Sequence, residues 1–309
     1  MMKRLKMLIA ALTVPLLVFP QRQQHFKKQI PAGNYSGICA LGNDRYAVVS
    51  DKAETDGFFV FRIEVDNEKG RITTIENEGY RSSGLPNRDM EGICYRPSTQ
   101  TVFISGEADN EVYEYTLDGQ RTGRKLQMPT FVRQAHKNFG LESLTYDTNR
   151  HLFYVTTEQP VAGESQLRIL EFDDNLNLRQ QYLYQPDEPI SRKYLHGVSE
   201  LCALSDGRLL VMERQIRIPR LKIGASTVTR IYEIHPDRQS ETTTGEQPQL
   251  TKRLVTEFKT RLNLTSRKFA NFEGLCQIND KWLLLIADSQ NQYKGILRDW
   301  LKLITPLQE

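Results

Sequence analysis

Acidic residues recur at matched positions along this chain of 309 residues, and they are the side chains best placed to do chemistry. Four apolar segments open with a glutamate, and a fifth opens with Ser36. The opening glutamates are Glu91, Glu142, Glu200 and Glu273. Each segment turns and returns as a second apolar run that ends in an acid, and these return acids are Asp51, Glu107, Glu158, Glu213 and Asp288. If the segments pack side by side, nine carboxylates and one serine converge.

Converging carboxylates cannot all stay ionised without compensation, so either their pKa values rise or a cation binds. Hard oxygen ligands without clustered histidine or cysteine favour Ca²⁺, with Mg²⁺ a less suitable ion and zinc unsupported. All nine acids are therefore candidate Ca²⁺ ligands. The alternative is structural: each acid accepts backbone N–H bonds from a neighbouring segment and holds the fold together.

Four residues are candidates for catalysis at such a site. Glu91 and Glu273 could activate water, and Arg214 and His196 lie beside the repeats and could act on an anion. Further basic residues precede the repeat starts, namely Arg88, Arg133, His136, Lys137, Arg192, Lys193 and Lys268. A basic rim above an acidic ring suits an anionic or ester small-molecule substrate held through a metal.

A serine esterase has less support. The chain has no nucleophile elbow, and Ser36 or Ser83 would need a histidine that only folding could bring near.

The acids belong to an internal repeat, which fixes the fold class. The similar segments span residues 35–51, 90–107, 141–158, 199–214 and 272–288, and each turns at glycine, asparagine, aspartate, proline or serine, as hairpins do. Two further strand-like runs follow each of the first four hairpins. The opening residues are 55, 51, 58 and 73 positions apart, a period typical of propeller blades. We predict an all-β, closed β-propeller of five four-stranded blades. A sixth, degenerate blade inside the long fourth interval is the alternative.

The last blade lacks enough chain to complete itself. After Asp288 too few residues remain for a full pair of outer strands, and an open array would leave its sheet edges bare. We therefore predict that residues 24–30 supply the missing strand and close the ring.

The first twenty residues differ in kind from the rest. Lys3, Arg4 and Lys6 precede an uncharged apolar run, Met7 to Phe19, which is shorter than the roughly 20 residues needed to span a bilayer. We interpret residues 1–20 as a signal peptide or N-terminal anchor and residues 21–309 as the propeller domain, exported to the periplasm or secreted.

The three basic residues Lys3, Arg4 and Lys6 equal the whole formal excess of +3, so the remaining chain is near neutral. Nucleic acid is therefore not an expected partner, nor is any further membrane segment, and we expect a monomer.

Four cysteines occupy the first strand of four repeats: Cys39, Cys94, Cys202 and Cys276. In an oxidising compartment they could form two disulfides. Their equivalent positions within apolar strands instead predict four buried, free thiols.

The segments DMEGICY, GLESLTYD, SELCALSDGRLLVMER and NFEGLC, followed by IADSQNQ, resemble the phytase-like family, also described as "esterase-like activity of phytase". The resemblance extends from about Tyr35 to Asn291. It implies a secreted or periplasmic β-propeller that hydrolyses esters or phosphoric esters and depends on calcium. It also assigns the opening glutamates, the return acids and Arg214 to the family's repeat positions. Ser143 and Leu201 stand where the family has glycine, so we expect those blades to approach the centre differently.

Two functions of different kinds stay open at this point. One is a metal-dependent hydrolase in which Ca²⁺ neutralises an anionic ester and a carboxylate activates water. The other is a non-catalytic scaffold that presents loops to a carbohydrate, lipid or protein ligand at the cell envelope.

Overall fold

The structure, a computed structural model, describes residues 22–136, 139–220, 222–236, 247–264, 267–292 and 295–305. Residues 1–20, interpreted above as a signal or anchor, lie outside this range. Within it, no helix has the length and apolar character needed to cross a bilayer.

Five antiparallel sheets of four strands make up the described chain, and this confirms the five-bladed β-propeller. Blade 1 contains β2 (Tyr35–Gly42), β3 (Arg45–Ser50), β4 (Thr55–Asp66) and β5 (Arg71–Pro86). Blade 2 contains β6 (Met90–Arg96), β7 (Thr101–Gly106), β8 (Glu111–Thr116) and β9 (Arg121–Lys125). Blade 3 contains β10 (Leu141–Asp147), β11 (Leu152–Thr157), β12 (Leu167–Phe172) and β13 (Leu178–Tyr184). Blade 4 contains β14 (Leu195–Ala203), β15 (Leu209–Arg217), β16 (Ser226–Ile234) and β17 (Arg253–Arg261). Blade 5 contains β18 (Asn271–Asn279), β19 (Trp282–Asp288), β20 (Trp300–Ile304) and β1 (Gln23–His25). A short 3₁₀ helix, Thr130–Gln134, links blades 2 and 3.

The N-terminus closes the ring, as the sequence predicts. Strand β1 pairs with β20 and completes blade 5, and the innermost strands contact one another in the cyclic order β2, β6, β10, β14, β18. The pairing uses residues 23–25, whereas 26–30 form a turn stabilised by the bond from Gln29 N to Phe26 O at 2.9 Å. The turn is needed because the chain must then cross from the outer edge of blade 5 to the innermost strand of blade 1. Gln24 also bonds through its side chain to both Ile72 N and Ile72 O, so β1 holds blade 1 as well.

The apolar core lies between the blades. Each face of a sheet packs against its neighbour, so both faces of the inner strands are buried and read as continuous apolar runs rather than alternating ones. Trp282 of blade 5, for example, packs in one cluster with Phe61 of blade 1.

The innermost strands approach one another closely enough to require glycine. A Cβ added at Gly37 would lie 2.4 Å from Glu91 O of blade 2, and one at Gly92 would lie 2.6 Å from Leu144 N of blade 3. These are backbone atoms, which cannot move aside. The glycine after the opening acid therefore follows from the narrow channel.

The four cysteines are free and buried, as predicted. Each lies in an apolar cluster shared with the following blade, and all four line a cavity of about 370 Å³ at one end of the channel. Burial raises the pKa of each thiol, which makes it a poor nucleophile.

Thiol titration tests this arrangement. The denatured, unreduced protein should react with four equivalents of a thiol reagent, because none of the cysteines is bridged, whereas the native protein should react slowly. Denatured protein without reactive thiols would contradict it.

Glycine replacement tests the close approach of the inner strands. Gly92→Ser should lower the free energy of unfolding by about 1 to 3 kcal/mol, as overpacking does. The matched control is Ser143→Ala, because Ser143 occupies the equivalent position in blade 3, where a side chain is already accommodated; its effect should stay within about 0.5 kcal/mol. Equal denaturant midpoints for Gly92→Ser and the unmodified protein would contradict the steric argument.

Candidate functional site: the acidic mouth

Two positions in every blade meet at one end of the channel, which we call the acidic mouth. The first is an extra, bulged residue near the start of the innermost strand, and the second is the residue of the adjoining strand, or of the turn just after it, that lies opposite the residue two positions before the bulge. Because the two strands are antiparallel, these positions lie at the same end. The bulged residues are Ser36, Glu91, Glu142, Ser199 and Glu273. The second set is Asp51, Glu107, Glu158, Arg214 and Asp288.

In blade 4 the strands are shifted by one residue from the alignment that the sequence predicts. The first residue affected is Glu200. Pairing skips from Val198 to Glu200, so Ser199 is the bulged residue and Glu200 takes the position held by glycine elsewhere. Glu200 therefore lies inside the channel rather than at the mouth. It is 1% exposed, and its Oε1 accepts Leu144 N at 3.3 Å while its Oε2 has no hydrogen-bond partner within the described residues. Burial raises its own pKa well above the usual range.

The second residue affected is Glu213, which also lies away from the mouth. It pairs with Val198, and its side chain points to the opposite face of the sheet, where it accepts bonds from Tyr184 Oη at 2.6 Å and Lys252 Nζ at 2.6 Å. Glu213 thus joins blades 3 and 4 structurally. The mouth position expected for it is occupied by the next residue, Arg214.

Arg214 is a buried cation where the other four blades carry an acid. Its Nη2 donates to Glu158 Oε1 at 2.6 Å, and its Nη1 donates to Asn271 Oδ1 at 3.1 Å and to Glu273 Oε1. Asn271 Nδ2 also donates to Glu273 Oε1 at 2.7 Å. Burial raises the pKa of both glutamates, and the guanidinium opposes that rise. One arginine therefore holds acids from blades 3 and 5 together.

Glu91 and Glu142 lack a direct partner of this kind within the described residues. They are 8% and 7% exposed, and in the described part of the chain neither carboxylate makes a hydrogen bond or an ion pair. Burial raises the pKa of Glu91 well above its usual range, and Glu142 and Glu273 raise it further. Burial and Glu158 also raise the pKa of Glu142, although Arg214 acts against them. The raised pKa values favour a proton or a bound cation at these two groups over two free carboxylates.

A group of three carboxylates lies beside Glu91. Asp51, Asp89 and Glu91 each place an oxygen within 4.8 Å of the other two. Asp51 Oδ1 is buried without a hydrogen-bond partner among the described residues, and burial raises the pKa of Asp51 to about 6. Lys52 Nζ contacts Asp51 Oδ2 at 3.0 Å and Asp89 Oδ1 at 2.7 Å, and this lysine side chain is 54% exposed.

The remaining acids of the mouth bond to backbone, Glu107 to a neighbouring blade as the structural alternative expects and Asp288 within its own blade. Glu107 Oε1 accepts Gly140 N of blade 3 at 3.0 Å, and Asp288 Oδ1 accepts Gln290 N at 2.6 Å. Burial raises the pKa of Glu107 despite the first bond. The mouth therefore mixes structural acids with uncompensated ones.

His196 lies next to the mouth rather than in it. Its ring is close enough to Glu158 to lower that carboxyl's pKa, although burial outweighs this effect, and its backbone oxygen accepts Gln159 Nε2 at 2.8 Å. Arg88, expected on the basic rim, is instead buried in blade 2 and binds Asp109 at 2.7 Å. Lys137 lies outside the described residues.

The two serines considered for an esterase are not activated. Ser36 Oγ donates to Asn34 O at 3.4 Å, and Ser83 Oγ bonds to Asp56 in blade 1. Within the described residues neither hydroxyl contacts a histidine.

Sequence reasoning missed Asp89, Lys52 and Asn271. Asp89 and Asn271 stand two residues before an opening glutamate, and alternation along a strand places such residues on the same side as the glutamate. That spacing could have identified them. The backbone of Asp89 has φ of 56°, a left-handed conformation that aspartate tolerates. Lys52 carried no signal of its own.

The raised pKa values predict how stability depends on pH. A carboxyl whose folded pKa exceeds its unfolded value binds its proton more tightly in the folded state, so stability falls as pH rises from about 4 through the folded pKa. In chelator, Glu91→Gln/Glu142→Gln should therefore gain stability over the unmodified protein, and gain more at pH 7 than at pH 5. Urea unfolding at both pH values measures this, with Glu76→Gln on the exposed edge as control. An equal difference at both pH values would contradict it.

Comparison with known proteins gives distant structural similarities and one family match. A search of curated proteins finds no match. Among solved structures, a chain of a nidogen/laminin complex has a TM-score of 0.43 and 12% identity, over 88% of this chain and 84% of that one. Streptogramin B lyase has a TM-score of 0.42 and 10% identity, over 92% and 97%. Hydrazine synthase of Kuenenia stuttgartiensis has a TM-score of 0.41 and 10% identity, over 91% and 90%. Similarities this distant carry no inference about ligand or reaction.

A family profile gives the decisive match. The phytase-like profile, described as "esterase-like activity of phytase", matches residues 30–290, which span all five innermost strands and every position of the acidic mouth. This chain belongs to the phytase-like family.

Proposed function

We propose that this chain is an exported, Ca²⁺-dependent hydrolase of phosphoric or other esters, acting at the acidic mouth. The observation that carries the proposal is the pair of buried, unpartnered carboxylates, Glu91 and Glu142, beside the group Asp51, Asp89 and Glu91. A buried carboxyl without a partner destabilises a fold. We infer that Glu91 and Glu142 are retained despite this cost because they bind a cation or transfer a proton.

The residues present fit a calcium ion. Its oxygen ligands lie at 2.3 to 2.6 Å, so two ligands of one ion are at most about 5 Å apart, and the three oxygens of Asp51, Asp89 and Glu91 meet that limit. All are hard carboxylate donors. Asp51 Oδ1 has no hydrogen-bond partner among the described residues, so it would break no hydrogen bond on binding calcium. Lys52 now neutralises two of them, but its exposure allows it to leave. Bound there, Ca²⁺ would supply positive charge to neutralise an anionic ester.

The chain's own residues provide the proton transfers. Glu273 is oriented by Arg214 and Asn271, so its carboxylate is positioned to accept a proton from water. Glu142 has no hydrogen-bond or ion-pair partner among the described residues, and burial raises its pKa, which favours its protonated form as the donor to the departing oxygen. Arg214 keeps Glu158 and Glu273 in place, and we assign it a positioning role.

Location and substrate class follow from charge and from the N-terminal sequence. Export rests on Lys3, Arg4, Lys6 and the apolar run after them. The acids of the mouth repel an anion in the absence of metal, so anionic substrates should bind only with Ca²⁺ present. We take the substrate to be a small anionic ester and the working unit to be a monomer.

Calcium should stabilise the folded protein. At a hundredfold excess over its dissociation constant, a ligand specific for the folded state adds about 2.7 kcal/mol, which raises the melting temperature. Glu91→Gln keeps the shape but removes a ligand, and it should abolish the calcium effect, whereas Glu76→Gln should keep it. Identical melting curves in calcium and in chelator for the unmodified protein would refute the assignment of a calcium site to the acidic mouth.

Hydrolysis is tested on the same samples with phosphomonoester and carboxylic ester substrates. Glu273→Gln should lower kcat by about 10²- to 10⁴-fold, since it removes a general base. It should leave the calcium-dependent rise in melting temperature in place. Calcium binding without turnover of either ester class would refute the hydrolase and favour the scaffold that presents loops to a ligand.

A further inference from the structure

A second charged site lies on the outside of the ring, at the seam where the N-terminus closes blade 5. It is an open groove of about 900 Å³ between strands β1 and β20, the start of β5 in blade 1 and the loop before β18. It shares no residue with the acidic mouth, which is built from the innermost strands. Its lining residues include Arg22, His25, Arg71, Lys268, Trp300 and Lys302.

The charged residues that line this groove are all basic. Its described lining includes four basic residues, Arg22, Arg71, Lys268 and Lys302, together with His25, and no carboxylate. Only Arg71 is weakly neutralised from outside, by Asp66 at 3.7 Å. Arg298 and Lys27 add further positive charge beside His25 and lower its pKa, although burial is the larger cause. A near-neutral protein has no folding reason to collect this charge in one place.

Lys302 is the feature that a solvated basic surface does not explain. Its side chain is 8% exposed, and its ammonium lies 4.2 Å from the centre of the Phe258 ring. Within the described residues it makes no hydrogen bond and no ion pair. Burial lowers its pKa to about 8. The contact with the Phe258 ring offsets part of the cost of burying this ammonium, but it leaves the N–H donors without an acceptor among the described residues, so an anion in the groove can bind there.

Polar and aromatic groups beside the lysine narrow the ligand class. Lys302 pairs with Gln23 across β20 and β1, and the Trp300 ring stands edge-on to His25 at 5.1 Å between centroids. Guanidinium and ammonium groups in one lining suit the several charged oxygens of a phosphate. An aromatic wall suits the apolar part of a larger molecule.

The position of the groove in the chain adds a second argument. Arg22 follows the apolar run Met7 to Phe19 by three residues. If that run stays in a bilayer, the groove is held within reach of the lipid headgroups, where basic side chains bind anionic lipid.

We propose that this groove is a binding site for a phosphate-bearing anion, with Lys302 as its central ligand. The anion is either the headgroup of an anionic phospholipid or a free phosphate compound, and both offer the same chemistry to the groove. The proposal does not depend on the hydrolase assignment.

The test uses the full chain, freed of metal by a chelating resin so that the acidic mouth cannot hold an anion through calcium. Binding of inorganic phosphate and of glycerol phosphate is measured by calorimetry. Lys302→Met keeps the unbranched apolar stem, and it should weaken binding about tenfold or more. The matched control is Lys125→Met, which removes the same charge from the outer strand of blade 2.

Vesicles distinguish the two sources. Sedimentation with phosphatidylcholine vesicles records any binding by the apolar run, and the increase on adding phosphatidylglycerol reports the groove. An increase that Lys302→Met removes identifies the headgroup as the ligand, whereas phosphate binding without that increase identifies a free phosphate compound. Should Lys302→Met fold poorly, Arg22→Gln/Lys268→Gln alters two exposed residues for the same measurements. Binding that is absent, or that is equal in the unmodified protein and these variants, overturns the proposal.

Discussion

The close approach of five innermost strands around one narrow channel is the constraint on which the rest of this structure depends. Backbone atoms of adjacent blades lie so near each other that Gly37 and Gly92 have no room for a Cβ. The bulge before each glycine turns one side chain to the end of the channel. The fold therefore brings five bulged side chains together at one mouth, and their identities decide the electrostatics there.

The acidic mouth has two sectors, and blade 4 creates the division. A shift of one residue places Ser199 and Arg214 where other blades carry acids, so one buried guanidinium neutralises Glu158 and Glu273. On the other side the only nearby cation among the described residues is the exposed Lys52. Glu91 and Glu142 lie between these cations and are paired with neither. The first sector suits an oriented base, and the second suits a proton or a divalent cation.

Closure by the N-terminus also has a chemical consequence. The ring needs β1 to satisfy the open edge of β20, and this pairing brings the basic residues after the apolar run against Lys302. The same strand that removes a bare sheet edge thus assembles a cationic groove. The molecule consequently separates its charges, with acids on the axis and an unpaired cation at the seam.

The sequence by itself determined the fold class, the five blades, the N-terminal closure and the free cysteines, because each depends on local patterns that recur with the blade period. It also determined most of the mouth, since Glu91, Glu142, Glu273, Asp51, Glu107, Glu158, Arg214 and Asp288 all lie there. It could not determine the exact register. Glu200 and Glu213 are each adjacent to a mouth position, and side chains alternate along a strand, so a shift of one residue moved the first into the channel and the second to the opposite face. The tertiary structure alone decided which acids meet a cation, because Arg214, Asn271 and Lys302 acquire or lack partners through contacts between residues far apart in the chain.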